Sequence, residues 1–293
     1  MTDYKKGLLC GAGAYVIWGI LPVYWKLLSA VSPFEILAGR ILWSLVFVAF
    51  VIAVQNKTAL FVKEVKMVFS SFKTGAAMVV ASVVISVNWG TFIWGVNNGH
   101  ILETSIGYYI NPLMSVLFAV VFLREGLSKL QLAAVLCAGV GVGSMVWSFG
   151  SLPWLSLLLA VTFASYSLLK KLLPVASTTS IMLETLLASP AALAYEYTLL
   201  TQEASFYTSG NWPVLCLLAG AGVVTAVPML MFTQGAKLLP LKITGFLQYI
   251  YPTLALFLGV FVYGEPFTGG HLLAFGWIWA ALALFVVSQL RSN

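Results

Sequence analysis

The stretch TSIGYYINPLMSVLFAVVFLRE (residues 104–125) has a counterpart in TGFLQYIYPTLALFLGVFVYGE (residues 244–265), 140 positions further along the chain. Six of the 22 aligned positions are identical: Thr104 and Thr244, Tyr109 and Tyr249, Ile110 and Ile250, Pro112 and Pro252, Val120 and Val260, and Glu125 and Glu265. Apolar composition inflates such matches, but the shared Tyr-Ile-x-Pro and the closing glutamate are harder to attribute to composition. The chain is therefore predicted to contain two related halves.

The composition around these stretches is that of a membrane protein. Hydrophobic residues make up 61% of the 293 residues and charged residues 8%, with a mean hydropathy of +0.99, whereas a soluble domain carries roughly 25% charged residues. Each of ten apolar runs is long enough to cross about 30 Å of hydrocarbon as a helix, and none alternates strictly as a barrel strand would. The runs lie at 7–28, 35–54, 75–96, 103–123, 127–147, 152–170, 178–198, 213–233, 242–263 and 269–289.

The predicted fold is an all-α integral membrane protein with ten transmembrane helices arranged as two inverted five-helix repeats. Residues 1–148 would form the first repeat and residues 149–293 the second. Five is an odd number, so the two repeats would lie in the membrane with opposite orientations. Inverted repeats are a building plan of secondary transporters, and the alternative is a duplicated scaffold that transports nothing.

The basic residues predict the orientation. Thirteen of the fifteen lie in gaps on one side of the membrane, and the other two, Lys26 and Arg40, lie within or at the ends of spans. Because cytoplasmic loops are enriched in Lys and Arg, both termini are predicted to be cytoplasmic and the protein to reside in the cytoplasmic membrane. The positive-inside rule also explains the net charge of +6 more simply than binding to nucleic acid does.

Polar and aromatic side chains are concentrated in spans one, three, four, six, eight and nine, which we expect to surround a central cavity. Amides within lipid need partners or a wet cavity, and an aromatic, amide-lined cavity suits an uncharged or amphipathic organic solute. The predicted lining residues are Trp18, Asn88, Tyr109, Asn111, Tyr166, Gln248 and Tyr249. Tryptophans near span ends are instead interpreted as interfacial anchors: Trp25, Trp94, Trp147 and Trp212.

Pro112 and Pro252 each lie about ten residues into a span. Proline removes a helix hydrogen bond and can break the helix, and broken helices at matching positions of two halves indicate a central binding site. A packing kink, common in membrane helices, is the alternative.

Charged residues within the spans predict gating or coupling. Arg40 and Glu184 each cost roughly 2.5–3.5 kcal/mol or more at mid-bilayer, and their predicted depths differ too much for them to pair. Glu103 is the expected partner of Arg40, in an outer gate or a structural clamp. Glu184 is interpreted either as a proton-coupling carboxyl or as a solvated carboxyl near a helix end.

Small residues four positions apart allow the backbones of neighbouring helices to approach. This spacing occurs at Gly7 and Gly11 and again at Gly139 and Gly143. Both pairs are predicted to be helix contacts.

Signatures of enzymes are missing. The only aspartate is Asp3, and the two histidines, His100 and His271, lack the spacing of metal ligands. No HExxH, Walker or GxSxG pattern occurs. The sequence therefore predicts no catalysis, no metal site and no cofactor, and it argues against an ATP-driven pump.

Several motifs resemble the RarD group of the EamA-type permeases, within the drug/metabolite transporter superfamily. They are YVIWGILPVYWK (15–26), RILWS (40–44), NWGTFIWGVNNGH (88–100), GYYINP (107–112), LET (183–185), VTAVP (224–228), QYIYPT (248–253), YGE (263–265) and FGWIW (275–279). The resemblance implies ten helices in two inverted repeats and the export or exchange of small organic solutes. Proteins of this group are commonly labelled chloramphenicol-sensitivity or resistance permeases. Gly39 departs from the pattern, since the family often has a histidine before the arginine.

The sequence is therefore interpreted as a secondary-active transporter, an exporter of small organic solutes that works by alternating access. The alternative is a multi-pass membrane sensor or assembly partner that transports nothing. Membrane lipid and a small-molecule substrate are the expected partners. Proton coupling and a homodimer are left open.

Overall fold

The computed structural model describes residues 3–123, 128–171, 173, 175–239 and 247–291. Over these ranges the chain forms eleven α-helices and no strand, which confirms the all-helical fold class. The helices are α1 (Asp3–Leu27), α2 (Pro33–Val54), α3 (Thr58–Phe69), α4 (Phe72–Asn97), α5 (Ile101–Leu123), α6 (Lys129–Phe149), α7 (Trp154–Lys171), α8 (Ser177–Thr201), α9 (Trp212–Leu238), α10 (Ile250–Phe257) and α11 (Gly269–Arg291). A 3₁₀ turn at Phe206–Thr208 precedes α9, and a π-helical segment, Leu258–Val262, continues α10.

Seven of these helices are long and apolar enough to cross a membrane: α1, α2, α4, α5, α6, α9 and α11. Two shorter apolar helices occur at Trp154–Lys170 and Ile250–Val262, and α8 has 25 residues. Sequence analysis missed α3, which lies in the predicted gap between spans two and three. With 12 residues it is too short to span hydrocarbon at 1.5 Å per residue.

Local capping chemistry sets several helix starts. Pro33 stands in the first turn of α2, and the Ser32 hydroxyl accepts a hydrogen bond from the Glu35 amide at 3.1 Å. At α6, Ser128 and Gln131 form a reciprocal capping box. These contacts satisfy amide groups that have no partner within the helix.

Helix packing runs mainly between the two halves of the chain, α1–α6 and α7–α11. The packed pairs are α1 with α9, α1 with α10, α2 with α8, α2 with α9, α4 with α7, α4 with α8, α5 with α7, α5 with α10, and α6 with α11. This set is unchanged when α1, α2, α4, α5 and α6 are exchanged with α7, α8, α9, α10 and α11. The two halves are thus interleaved, and each half buries its helices against the other.

Glycine allows the closest crossings. A Cβ atom at Gly222 of α9 would lie 2.3 Å from the carbonyl carbon of Trp43 in α2, and one at Gly235 would lie 2.8 Å from Gly11 of α1. The contact predicted at Gly11 is therefore present. The contacts predicted at Gly139 and Gly143 are wrong, because no atom of the described residues lies within 4 Å of a Cβ atom at either position.

The two prolines differ in their backbone environment. α5 is continuous through Pro112, so the break predicted there is absent, which leaves the alternative of a packing kink. Pro252 is the third residue of α10, just after a turn at residues 248 and 249. Both prolines are buried, and the Ser105 hydroxyl of α5 donates to the Pro252 carbonyl at 2.7 Å.

Candidate functional site: a buried arginine among aromatic rings

Five side chains from five helices meet inside the helix bundle and form what we call the arginine–aromatic cluster. Its members are Trp25 (α1), Arg40 (α2), Trp89 (α4), Tyr108 (α5) and Tyr251 (α10). The Arg40 guanidinium lies over the ring of Trp89 at 4.2 Å and over that of Trp25 at 5.2 Å. Tyr108 and Tyr251 meet edge to face with their ring centroids 4.6 Å apart. Both tyrosines lie close enough to interact electrostatically with the guanidinium.

Arg40 is deeply buried and lacks an acidic partner. The residue is 5% exposed. Within the described ranges no carboxylate forms an ion pair with it, and its Nε atom has no hydrogen-bond partner. The ring faces of the two tryptophans carry partial negative charge and attract the cation, by about 2 kcal/mol when it is desolvated. Aromatic faces thus take the place that a carboxylate usually occupies.

A hydrogen-bond network fixes the position of Tyr108. Its hydroxyl donates to the Asn88 side-chain oxygen at 3.0 Å. The Asn88 amide in turn donates to the Leu159 carbonyl at 3.1 Å and to the Thr162 hydroxyl at 2.9 Å. Asn88 therefore joins α4, α5 and α7 and orients one wall of the cluster. Its amide group is satisfied by protein atoms.

The space beside Gly39, the position before Arg40, is filled by side chains from the 3₁₀ turn Phe206–Thr208 and from α9. A Cβ atom at Gly39 would lie 3.0 Å from the Tyr207 hydroxyl, which accepts a hydrogen bond from the Trp43 indole at 3.1 Å. Burial raises the pKa of Tyr207 to about 12. The space beside Gly39 is thus occupied by the side chains of Tyr207 and Leu218, and a larger residue at this position would have to displace them.

Arg40 and Glu103 do not form the predicted pair. The Glu103 carboxylate contacts His100 at 2.8 Å, and the His100 ring stacks on Trp94 at 5.5 Å. The sequence argument placed Arg40 and Glu103 at similar depths in the membrane. Depth alone does not determine which neighbouring helix a side chain points toward. Glu103 therefore belongs to the helix end, and Arg40 to the cluster.

Another acidic residue caps the same end of α5. The Glu265 carboxylate accepts hydrogen bonds from the backbone amides of Ile101 and Leu102 at 2.7 and 2.8 Å. Burial raises the pKa of Glu265, while these two amides oppose the rise. The motif Tyr-Gly-Glu of the second half therefore holds the start of a helix in the first half.

Glu184 lies in a separate polar group with Tyr166, Lys170 and Ser180. The residue is 1% exposed, and Lys170 lies 2.9 Å from its Oε1 atom. The Ser180 hydroxyl donates to the same oxygen at 2.7 Å, and the Tyr166 hydroxyl donates to Oε2 at 3.0 Å. The interpretation of Glu184 as a solvated carboxyl is wrong, because α4 and α7 cover this face of α8.

Two further buried carboxyls meet where α2 and α8 pack together. Glu35 is 2% exposed and accepts from the Phe206 amide at 2.7 Å, and Ser205 bridges it to Glu196 at 3.2 and 3.4 Å. Sequence analysis overlooked both acids because they lie close to span ends, where a solvated carboxyl is the usual expectation.

The seven predicted lining residues fall into several places. Trp18 packs on Tyr15 and Phe232, and Asn88 supports Tyr108. Tyr109 bonds Thr253 and stacks on Tyr249, while Asn111 is buried with its side-chain oxygen unpartnered among the described residues. Tyr166 contacts Glu184, and Gln248 and Tyr249 are half-buried at the turn before α10.

None of the five members of the cluster was in the predicted lining set, and only Arg40 was singled out, as a gating or coupling residue. Trp25 was interpreted as an interfacial anchor, which is wrong since its side chain is fully buried. Tyr108 is next to Tyr109 in the sequence, and Tyr251 is two residues after Tyr249, and both of these neighbours were predicted as lining residues. Successive side chains on a helix point about 100° apart, so a sequence neighbour can face a different part of the bundle. A buried arginine with no acidic residue at helical spacing is the signal that could have led to its aromatic neighbours.

Comparison with known proteins identifies the family. The model of the EamA-like transporter family matches residues 5–147 and again residues 152–287. The chain is 44% identical to the uncharacterized transporter YojE of Bacillus subtilis, covering 99% of this chain and 96% of that protein. It is 38% identical to the protein RarD of Escherichia coli, with 99% and 96% covered, and 29% identical to the chloramphenicol-sensitive protein RarD of Pseudomonas aeruginosa, with 95% and 93% covered.

A solved crystal structure shares the fold, with a TM-score of 0.60 and 15% identity over 99% of both chains. The matching family is one of transporters and not of enzymes. The chain is therefore a multi-pass membrane protein that belongs to the EamA-like transporter family and has proteins named RarD among its relatives.

Proposed function

We propose that this protein is a secondary-active transporter that exports small organic solutes by alternating access, and that the arginine–aromatic cluster is its solute site. The observation that carries the proposal is the cluster itself. It gathers a buried cation and four aromatic rings from helices of both halves. Groups contributed by both halves can change their contacts with a solute when the halves move relative to each other.

The architecture in this proposal comprises ten spans in two inverted five-helix repeats, residues 1–148 and 149–293. In this proposal α3 is not a span. The helices α7, α8 and α10 would be the three spans that bring the seven long apolar helices to ten. Symmetric helix pairing supports a two-fold relation between the repeats. Tyr109 and Tyr249, which correspond in the repeat alignment, stack at 6.4 Å, as expected of residues beside such an axis.

The proposed orientation has both termini in the cytoplasm of a cell whose cytoplasmic membrane holds the protein. The lysines of α3 support it: Lys63 and Lys66 are exposed, on the side to which the positive-inside rule assigns the cytoplasm. A fluorescent protein that folds only in the cytoplasm, fused to the C terminus, tests this orientation. A dark but full-length fusion contradicts it.

Transport through the cluster is tested by comparing metabolites inside and outside cells that express the protein or lack it. Trp89→Leu removes the ring face nearest to Arg40, so we expect the transport-dependent differences to fall about tenfold or more. The matched control is Trp147→Leu, since Trp147 is 90% exposed and should leave the differences unchanged. No difference for any solute with the wild-type protein would favour a sensor or an assembly partner instead.

Proton coupling through Glu184 is part of the same proposal. The carboxylate is held by Lys170 and two hydroxyls, so a proton that binds there removes the negative charge that pairs with Lys170. Flux of a transported solute into proteoliposomes should therefore rise with a pH gradient in the wild type and lose this dependence in Glu184→Gln. Identical wild-type flux with and without the gradient rules this coupling out.

A further inference from the structure

We propose that the transported solute is an organic monoanion, and that its carboxylate pairs with Arg40. This inference rests on the proposed function because it places the solute in the same cluster, and it adds the charge of the solute and the group that recognises it. It selects an amphipathic anion over the uncharged solute that the amide-rich spans suggested.

The first argument is the uncompensated charge. A cation deep in a membrane protein pairs with an acid or lines a water-filled path. Lys170 follows this rule through Glu184. Arg40 is more deeply buried than Lys170, yet within the described part of the chain only aromatic rings face its charge.

The acids that could have served Arg40 are engaged elsewhere. Glu103 contacts His100, Glu265 caps α5, and Glu35 binds the Phe206 amide. Each of these contacts is made at the ends of helices. The fold therefore keeps its nearby carboxylates away from the guanidinium, which leaves Arg40 available to an acid from outside the chain.

The geometry of the guanidinium favours a carboxylate. Its Nε atom is buried and has no hydrogen-bond partner among the residues that the structure describes. A side-on arginine–carboxylate pair uses this N–H together with one from the terminal nitrogens. The ring faces of Trp25 and Trp89 hold the guanidinium in place. One positive charge is neutralised by one negative charge, so a monoanion fits the site better than a dianion.

The rest of the cluster suits an apolar body on that anion. Phe92 packs edge to face on Tyr108 at 6.0 Å and on Tyr251 at 6.2 Å, so the surroundings of the cation are aromatic. Flat or apolar groups bind well against such rings. The expected solute therefore joins a carboxylate to a small aromatic or aliphatic group.

Matched probes separate charge from shape. Purified full-length protein in detergent is heated with phenylacetate or phenylacetamide, 3-phenylpropionate or its amide, and indole-3-acetate or its amide, and the unfolding temperature is measured. We expect each carboxylate to raise the unfolding temperature in a saturable manner and the amides to do so far less. Ligands that bind only the folded state stabilise it in this way.

Variants assign the effect to Arg40. Arg40→Gln should abolish the difference between acid and amide, and Arg40→Lys, which keeps the charge but loses the side-on fork, should weaken carboxylate binding about thirtyfold or more. The charge control is Lys66→Gln on the exposed face of α3, and this variant should behave like the wild type. Arg40→Lys keeps the test informative if Arg40→Gln does not fold.

The outcomes distinguish this inference from the proposed function. Equal response to the two members of each pair, whether both shift the unfolding temperature or neither does, overturns the anion proposal, as does a carboxylate effect that survives in Arg40→Gln. Solute flux could still occur in that case, and the transporter proposal would stand. An Arg40-dependent carboxylate effect without flux of any solute would instead show anion binding without transport.

Discussion

Replacing Gly222 by leucine should leave little folded protein. A Cβ atom at this position would lie 2.3 Å from the carbonyl carbon and oxygen of Trp43 and 2.6 Å from the Ser44 amide nitrogen. All three are backbone atoms of α2, so no side-chain rotation relieves the clash and the two helices must separate. Overpacking with movable neighbours already costs about 1–3 kcal/mol. Because the neighbours here are backbone atoms, even the smaller change Gly222→Ala should lower the free energy of unfolding by about 3 kcal/mol or more.

The control variant replaces a glycine in another apolar helix, at a position where an added side chain would meet no neighbour. In the part of the chain that the structure describes, nothing lies within 4 Å of a Cβ atom at Gly143 of α6. Gly143→Ala should therefore be neutral or should stabilise the protein by up to about 1 kcal/mol through helix propensity. Yield after detergent extraction and the unfolding temperature measure both effects. A Gly222→Leu protein with wild-type yield and unfolding temperature would show that α2 and α9 do not cross as described.

Replacing Lys170 by methionine should destabilise the protein by about 3–5 kcal/mol, because it leaves the buried Glu184 carboxylate without a cation. Among the described residues, Ser180 and Tyr166 would remain as the only hydrogen-bond donors to this carboxylate. The unfolding temperature of the purified protein measures the effect.

A double variant separates the charge from the shape of the side chain. Lys170→Met combined with Glu184→Gln removes both charges and should recover most of the stability, because the desolvation of the pair offsets much of its attraction. Lys73→Met removes an exposed lysine at the start of α4 and should change little. If Lys170→Met alone were as stable as the wild type, the pair at 2.9 Å would not exist in the membrane.

The apolar runs predicted most of the helices, because lipid demands about 20 apolar residues for each span. α3 was missed since it is short and charged. The sequence also showed which charged side chains lie inside spans. Arg40 and Glu184 were singled out because a buried charge requires a partner or water. The partners of these two side chains could not be predicted from the sequence. The position of a residue along its helix gives its depth in the membrane, but it does not show which other helix the side chain contacts.

The same limit explains the errors around the site. Tyr108 and Tyr109 are adjacent, yet Tyr108 contacts Tyr251 in the cluster while Tyr109 contacts Thr253 and Phe275. Sequence offered no reason to choose between them. In α6, the middle glycine of the three, Gly141, approaches Ala274, and the spacing of Gly139 and Gly143 suggested the opposite face.

The interleaved packing of α1–α6 with α7–α11 has a consequence for biosynthesis. The ribosome delivers the first six helices before the surfaces that cover them exist. Until α7 is made, the Asn88 amide lacks its partners Leu159 and Thr162 and must find temporary solvation in lipid, water or an insertion factor. Assembly can finish only after the last span has been inserted. A nascent chain that stops at mid-length is therefore an early substrate for membrane proteases.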